Sequence, residues 1–353
     1  MLWEQRLGRE RRDRRQDVVR VARMMESDDA VIDWLLDPQA SDPAIRWQVM
    51  RDLLDAPEDQ WRVERAKVET HGWGARLLSH QDDDGQWDGG AHFPADFVWG
   101  GDEPGQPWTS TSHALAQLRE FGLDPASDRV TRMVALIGAN CRWEYDDLPY
   151  WGGEVEPCIN GALVANGAYF GVDMGPVVDR LLGERLEDGG WNCEAENGSV
   201  RSSFDTTINV LEGLLQHERS TGGSDAVREA RRSGEEYLLR RGLYRRLSTG
   251  EPADERYLRL THPNRWQYDL LRGLDHFRAS GELNGGAPDE RLEEAVEVVR
   301  SRRRDDGTWP LDRTPTGRRW FDVDDGEGEP SRWITLRAMR VLRWWSGEVP
   351  AGG

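Results

Sequence analysis

The chain has 353 residues, enough for two domains or one large ring of helical repeats. Its 46 Lys and Arg stand against 65 Asp and Glu, a net charge of −19, which is the wrong sign for holding phosphate backbones and argues against a nucleic-acid partner. Three cysteines define no disulfide framework, and no run approaches the ~18 apolar residues of a membrane-spanning helix. The Arg-rich start also lacks the apolar stretch of a signal peptide, so a soluble cytoplasmic protein is expected.

Residues 1–19 are strongly charged and read as an arm or solvated helix, with Met24 and Met25 as alternative starts to Met1. Val21, Met25, Val31, Trp34 and Leu35 have the spacing of an amphipathic helix that Asp37-Pro38 stops. Ser41-Asp42-Pro43 then starts a second helix, with Asp42 as cap and Pro43 in its first turn, running to about Leu54. This two-helix cycle repeats to the C-terminus. The first helix of each pair is expected near Glu64, Asp128, Pro176, Asp225 and Pro288, and the second near Trp108, Glu156, Arg201, Asn264 and Ser331.

The second helices carry the small residues, as in Ile159 to Tyr169, which suits a closely packed inner ring. The first helices carry denser charge, as in Asp289 to Arg304, which suits an outer one. Strand signals are sparse: Leu243–Leu260 and Arg319–Val323 are the candidates for short extended pieces. The expected fold is all-α: one α/α toroid of six helical hairpins over residues 20–347, followed by a tail over 348–353. An open helical solenoid is the alternative.

One turn recurs three times: Gln81 to Trp87, Arg185 to Trp191 and Arg303 to Trp309, each with an acid, a glycine, one further residue and a tryptophan. The glycine is expected to take a positive φ, and the indole to fold back across the turn as an apolar plug. The Gln81-x3-Gly85-x-Trp87 copy resembles the QW motif of squalene–hopene and oxidosqualene cyclases. The other two copies have Arg in place of Gln, which weakens the stacking role Gln has in that family. With the six hairpins, the chain is similar to the terpenoid cyclase/protein prenyltransferase superfamily over nearly its whole length. The resemblance implies a cavity at the N-terminal mouth of the inner helices and an isoprenoid or other apolar small-molecule ligand. It also implies a partner chain completing the site, since the family's cyclases work between two such barrels.

Residues at the expected mouth are the candidate ligand contacts: Arg46, Trp47, Trp108, Asn160, Arg201, Arg265, Trp266, Tyr268, Asp269, Arg332 and Trp333. Aromatic faces stabilise cations and also bind sugars or flat apolar ligands. Three chemistries fit this rim. Asp322-Val323-Asp324-Asp325 is similar to the Asp-x-Asp-Asp signature of proton-initiated cyclases, which implies Asp324 as the acid, with Asp322 and Asp325 beside it. Glu156-Pro157-Cys158 is similar to the Asp-x-Cys zinc pair of protein prenyltransferases, which implies His262 as third ligand; no cofactor is demanded by the pattern, and zinc is the minor alternative. Glu156, Asp205 and His113 are the acid/base candidates if the barrel acts on carbohydrate as a lyase, hydrolase or epimerase. A non-catalytic binding barrel is the remaining reading.

Overall fold

A computed structural model describes residues 28–347, and within them the chain is all-α, with no regular strand. The expected arm over 1–19, the start of the first helix and the tail over 348–353 fall outside the described residues. Helix α1 spans 28–36, followed by α2 (Pro43–Asp52), α3 (Glu58–Ala66), α4 (Gly72–Leu78), α5 (Thr111–Phe121), α6 (Asp128–Asn140) and α7 (Pro157–Tyr169). Next come α8 (Gly175–Gly183), α9 (Phe204–Thr221), α10 (Asp225–Leu239), α11 (Leu270–Asn284), α12 (Glu293–Ser301) and α13 (Arg332–Ser346). No described helix is long and apolar enough to cross a membrane.

Caps explain where the helices begin. The Asp42 carboxylate accepts from Ala44 N at 2.9 Å with Pro43 at the first position, as the Ser-Asp-Pro run predicts. Ser203, Asp269 and Ser331 cap α9, α11 and α13 in the same way. Asp269 thereby sets the start of α11 at Leu270 rather than near Asn264 and leaves residues 264–268 in the preceding loop. The outer segment expected from Glu64 is broken into α3, a short turn at Lys67–Glu69 and α4. The extended pieces reduce to isolated bridges such as Arg245–Pro252, none of which lies within Arg319–Val323.

Contacts between the second helices of successive hairpins run in a cycle: α2 on α5, α5 on α7, α7 on α9, α9 on α11, α11 on α13, and α13 back on α2. The last step is tied by polar bonds, Arg340 to Gln48 and Asp52 at 3.1 Å each and Arg343 to the Asp52 carbonyl at 2.8 Å. The closest approach is α7 on α9. A Cβ on Gly161 would sit 2.5 Å from the Asn209 backbone, and one on Gly213 2.4 Å from the Gly161 carbonyl, so only glycine permits this spacing.

The recurring turn is one device used three times. Trp87, Trp191 and Trp309 are buried, and each indole N–H donates to a carbonyl at the end of the preceding outer helix: Leu77 at 2.9 Å, Leu181 at 2.7 Å and Val299 at 2.7 Å. Each tryptophan's own backbone N–H donates to a buried threonine on the following inner helix: Thr111 at 3.2 Å, Thr207 at 3.1 Å and Thr335 at 3.0 Å. One residue thus pins an outer helix to its inner partner. The glycines take the positive φ expected, +95° at Gly85, +106° at Gly189 and +87° at Gly307.

The arginines replacing Gln81 behave differently from one another. Gln81 donates to the Gly85 carbonyl at 3.0 Å; Arg303 makes the equivalent bond to Gly307 at 3.0 Å and lies 5.2 Å over the Trp309 ring, so that copy keeps its side-chain clasp. Arg185 instead reaches Glu229 at 3.4 Å.

Candidate functional site

The principal cavity lies beside α7 and α9, which pack closely where Gly161 meets Asn209 and Gly213, and against the residues that follow the Trp191 turn. The cavity has a volume of 720 Å³. Its apolar wall includes Phe93, Trp99, Trp143, Ile159, Leu163 and Trp266. Its polar lining includes Glu144, Glu154, Asp205 and Arg265, and a cluster of Glu156, the cap residue of α7, Cys158 in the first turn of α7, and Cys193 in the short turn Cys193–Ala195.

These three residues place their donor atoms within 4.8 Å of one another. The Cys158 and Cys193 sulfurs are 2.7 Å apart, the Glu156 carboxylate lies 3.4 Å from the Cys158 sulfur, and the Thr206 hydroxyl lies 3.4 Å from that of Cys193. The hydrogen bond with Cys193, together with burial, pushes the Cys158 thiol well above its usual range. Two sulfurs and a carboxylate oxygen suit a soft divalent ion such as zinc with one position left open. Zn–S bonds of about 2.3 Å in a tetrahedron set the sulfurs about 3.8 Å apart, so the thiols would part by about 1 Å to take it.

His262, the third ligand implied by the prenyltransferase likeness, is not part of this cluster; it lines a different cavity, and Cys193 stands in its place. Cys193 was within reach of sequence reasoning. It follows the second tryptophan by two residues, and a turn whose tryptophan is pinned to α9 must lay that residue over the first turn of α9.

His113 and Asp205 also line the principal cavity. Burial, the neighbouring His92 and Arg265 hold the His113 imidazole well below its usual range, and burial holds His92 down to about 4, so both rings are neutral near pH 7. Asp205 is ion-paired with Arg256 and accepts from the Tyr268 backbone N–H at 2.8 Å, which commits both of its oxygens. Asp205 is not ion-paired with Arg201, nor Asp269 with Arg265, four residues before each. Asp269 instead accepts from Arg272 N at 2.8 Å, Thr261 N at 2.9 Å and Asn264 Nδ2 at 2.7 Å.

Asp324 lines a second cavity of 650 Å³. Its carboxylate meets His262 Nδ1 at 2.8 Å, and His262 Nε2 faces the Glu120 carboxylate at 3.4 Å. The Trp333 ring stacks on His262 at 5.1 Å. Burial alone would lower the His262 pKa, but Glu120 and Asp324 outweigh it and raise the value. Burial would likewise raise the Glu120 carboxyl, yet Arg337 and His262 hold it well below the carboxylate range. Asp322 and Asp325 are exposed, Asp322 pairing with Arg319. Arg265 borders both this cavity and the principal one.

Of the other expected contacts, Trp266 lines the principal cavity and donates to Gln106 at 3.1 Å. Most of the rest hold the scaffold. Trp47 donates to the Phe121 carbonyl at 2.8 Å, Trp108 to Thr316 at 3.0 Å and Tyr268 to Leu243 at 2.7 Å. Asn160 clasps Glu154, accepting from its N–H at 2.7 Å and donating to its carbonyl at 2.6 Å. Arg46 pairs with Glu64, Arg332 lies 4.4 Å over Trp34, and Arg201 is exposed.

No family model matches the sequence, and no curated protein matches it. A solved structure, a protein from Actinoplanes, is similar with a TM-score of 0.47 and 15% identity, over 92% of this chain and 99% of that one.

Proposed function

We propose that the chain is an enzyme of terpenoid cyclase/prenyltransferase-like architecture, an α/α toroid that takes an apolar, isoprenoid-class small molecule into the 720 Å³ cavity beside α7 and α9. The observation carrying this reading is that an aromatic and aliphatic wall and the cluster of Glu156, Cys158 and Cys193 share a single hollow. When bound there, zinc would supply Lewis acidity and a stabilised thiolate. Cys158 and Cys193 would hold it, Glu156 would complete the set, and Trp266 and Trp99 would shield the ligand from water.

Ala162 lines the cavity, and Ala162→Phe fills part of it. Calorimetric titration with farnesol should give saturable binding to the wild type and at least tenfold weaker binding to Ala162→Phe. Equal affinity in both, or no saturable binding, overturns the reading.

The His262–Asp324 pair favours a second reading, proton-initiated cyclisation with Asp324 as the acid. Asp324 lines the neighbouring cavity rather than the apolar one, so this reading requires the ligand to reach past Arg265. Unchanged cyclisation by Asp324→Asn removes it. A carbohydrate reading is weaker, because the oxygens of Asp205 are already committed.

A further inference from the structure

A third hollow, of 320 Å³, is bordered by all six helices of the inner cycle or the turns that end them. Eight arginines line it, with only three carboxylates, Glu120, Glu212 and Asp275, in a chain whose net charge is −19. Two further carboxylates stand behind the wall and pair with its arginines, Asp52 and Glu282. Eight guanidiniums thus outnumber these five carboxylates by three.

The shortfall falls on identifiable residues. Arg272 grips Glu212 through two bonds of 2.7 Å, Arg278 takes Asp275 at 2.6 Å, Arg337 pairs with Glu120, and Arg340 and Arg51 share Asp52. Arg119 has only the Asn166 amide oxygen at 3.0 Å, Arg219 the Ala279 carbonyl at 2.7 Å, and Arg265 the face of Trp108 at 5.4 Å. The same division appears in their acidities. Burial lowers the Arg119, Arg219 and Arg265 values, Arg265 to about 10. Arg272, Arg278 and Arg337, with their carboxylates, are raised despite burial. Arg119 and Arg265 are half-buried and Arg219 is exposed, and none of the three is held in an ion pair, so their guanidinium forks remain available to an anion in the hollow.

The geometry points to this hollow as a binding site for a small multivalent anion of the phosphate class, with Arg119 and Arg219 as its principal contacts. Guanidinium forks match phosphate oxygens in pairs. The site is separate from the thiol cluster and does not depend on the cavity reading above.

Inorganic diphosphate is the probe, with sodium chloride at matched ionic strength as control and citrate as the arm that separates phosphate recognition from charge alone. Diphosphate should raise the wild-type melting temperature saturably, by about 3–4 °C at one hundred times Kd. Citrate should do so more weakly. Arg119→Gln and Arg219→Gln should each weaken diphosphate binding at least tenfold. Arg119→Lys and Arg219→Lys keep the charge and should retain part of the response. A diphosphate shift no larger than that of chloride, or one undiminished in the Gln variants, overturns the proposal.

Discussion

The threefold turn makes a quantitative demand. Thr111, Thr207 and Thr335 are fully buried, and each hydroxyl oxygen receives the backbone N–H of the tryptophan it pins. Thr→Val at any of them keeps the shape but leaves a buried N–H without an acceptor, which costs about 1–3 kcal/mol. Unfolding entropy of about 2.1 cal/mol/K per residue gives roughly 0.7 kcal/mol/K for a chain of this length, so each variant should melt about 1.5–4 °C lower. Thr→Ser at the same positions keeps the acceptor and should recover most of the loss. The assay is differential scanning calorimetry of the three Val and three Ser variants. The reasoning fails if the Val variants melt at or above the wild-type temperature, or if Ser and Val are indistinguishable, because the hydroxyl would then not be the pin.

Further outcomes follow from the same contacts. Gly85→Ala forces a Cβ to within 2.5 Å of the Leu136 Cβ at φ +95°, and should destabilise by about 1–3 kcal/mol in denaturant melts; a neutral result contradicts the close approach. His262 has a raised pKa, so its contribution to stability is complete below the unfolded value of about 6.5 and is lost as pH rises through the folded value. The wild-type melting temperature should therefore fall more steeply above pH 6.5 than that of His262→Gln, and parallel curves contradict the Glu120–His262–Asp324 chain. His92, lowered to about 4, works in the opposite sense: its contribution is present above about 6.5 and lost as pH falls toward 4. His92→Asn should flatten that acid limb, and an unchanged limb contradicts the buried neutral ring. Purified protein should carry close to one zinc per chain by plasma mass spectrometry, and Cys193→Ser should lose it; zinc retained after that substitution would place the metal elsewhere.

What the sequence makes legible is what short-range chemistry decides. Asp42-Pro43 marks a helix start because cap and first turn are adjacent, and Gly85, Gly189 and Gly307 announce their turns because the positive φ is a local requirement. The small residues of α7 announce a close neighbour, though only the coordinates identify Asn209 and Gly213 as that neighbour. The site was less visible, because it depends on which distant segments meet. Cys193 joins Glu156 and Cys158 only once α9 lies on α7, whereas His262, an equally plausible ligand on paper, is carried to Asp324 and Glu120. The arginine-lined hollow was hidden for another reason. Arg119, Arg219 and Arg337 each read along their own helix as solvated charge, and nothing local shows that three separate helices turn them toward one hollow.

The central claim is that the hollow between the apolar wall and the thiol pair is where the ligand lies. Crystals soaked with farnesol test it most directly. Difference density for the chain should lie against Ile159, Leu163 and Trp266, with its hydroxyl end toward Glu156, Cys158 and Cys193. A clear farnesol chain bound elsewhere, with this cavity holding only water, would contradict the account.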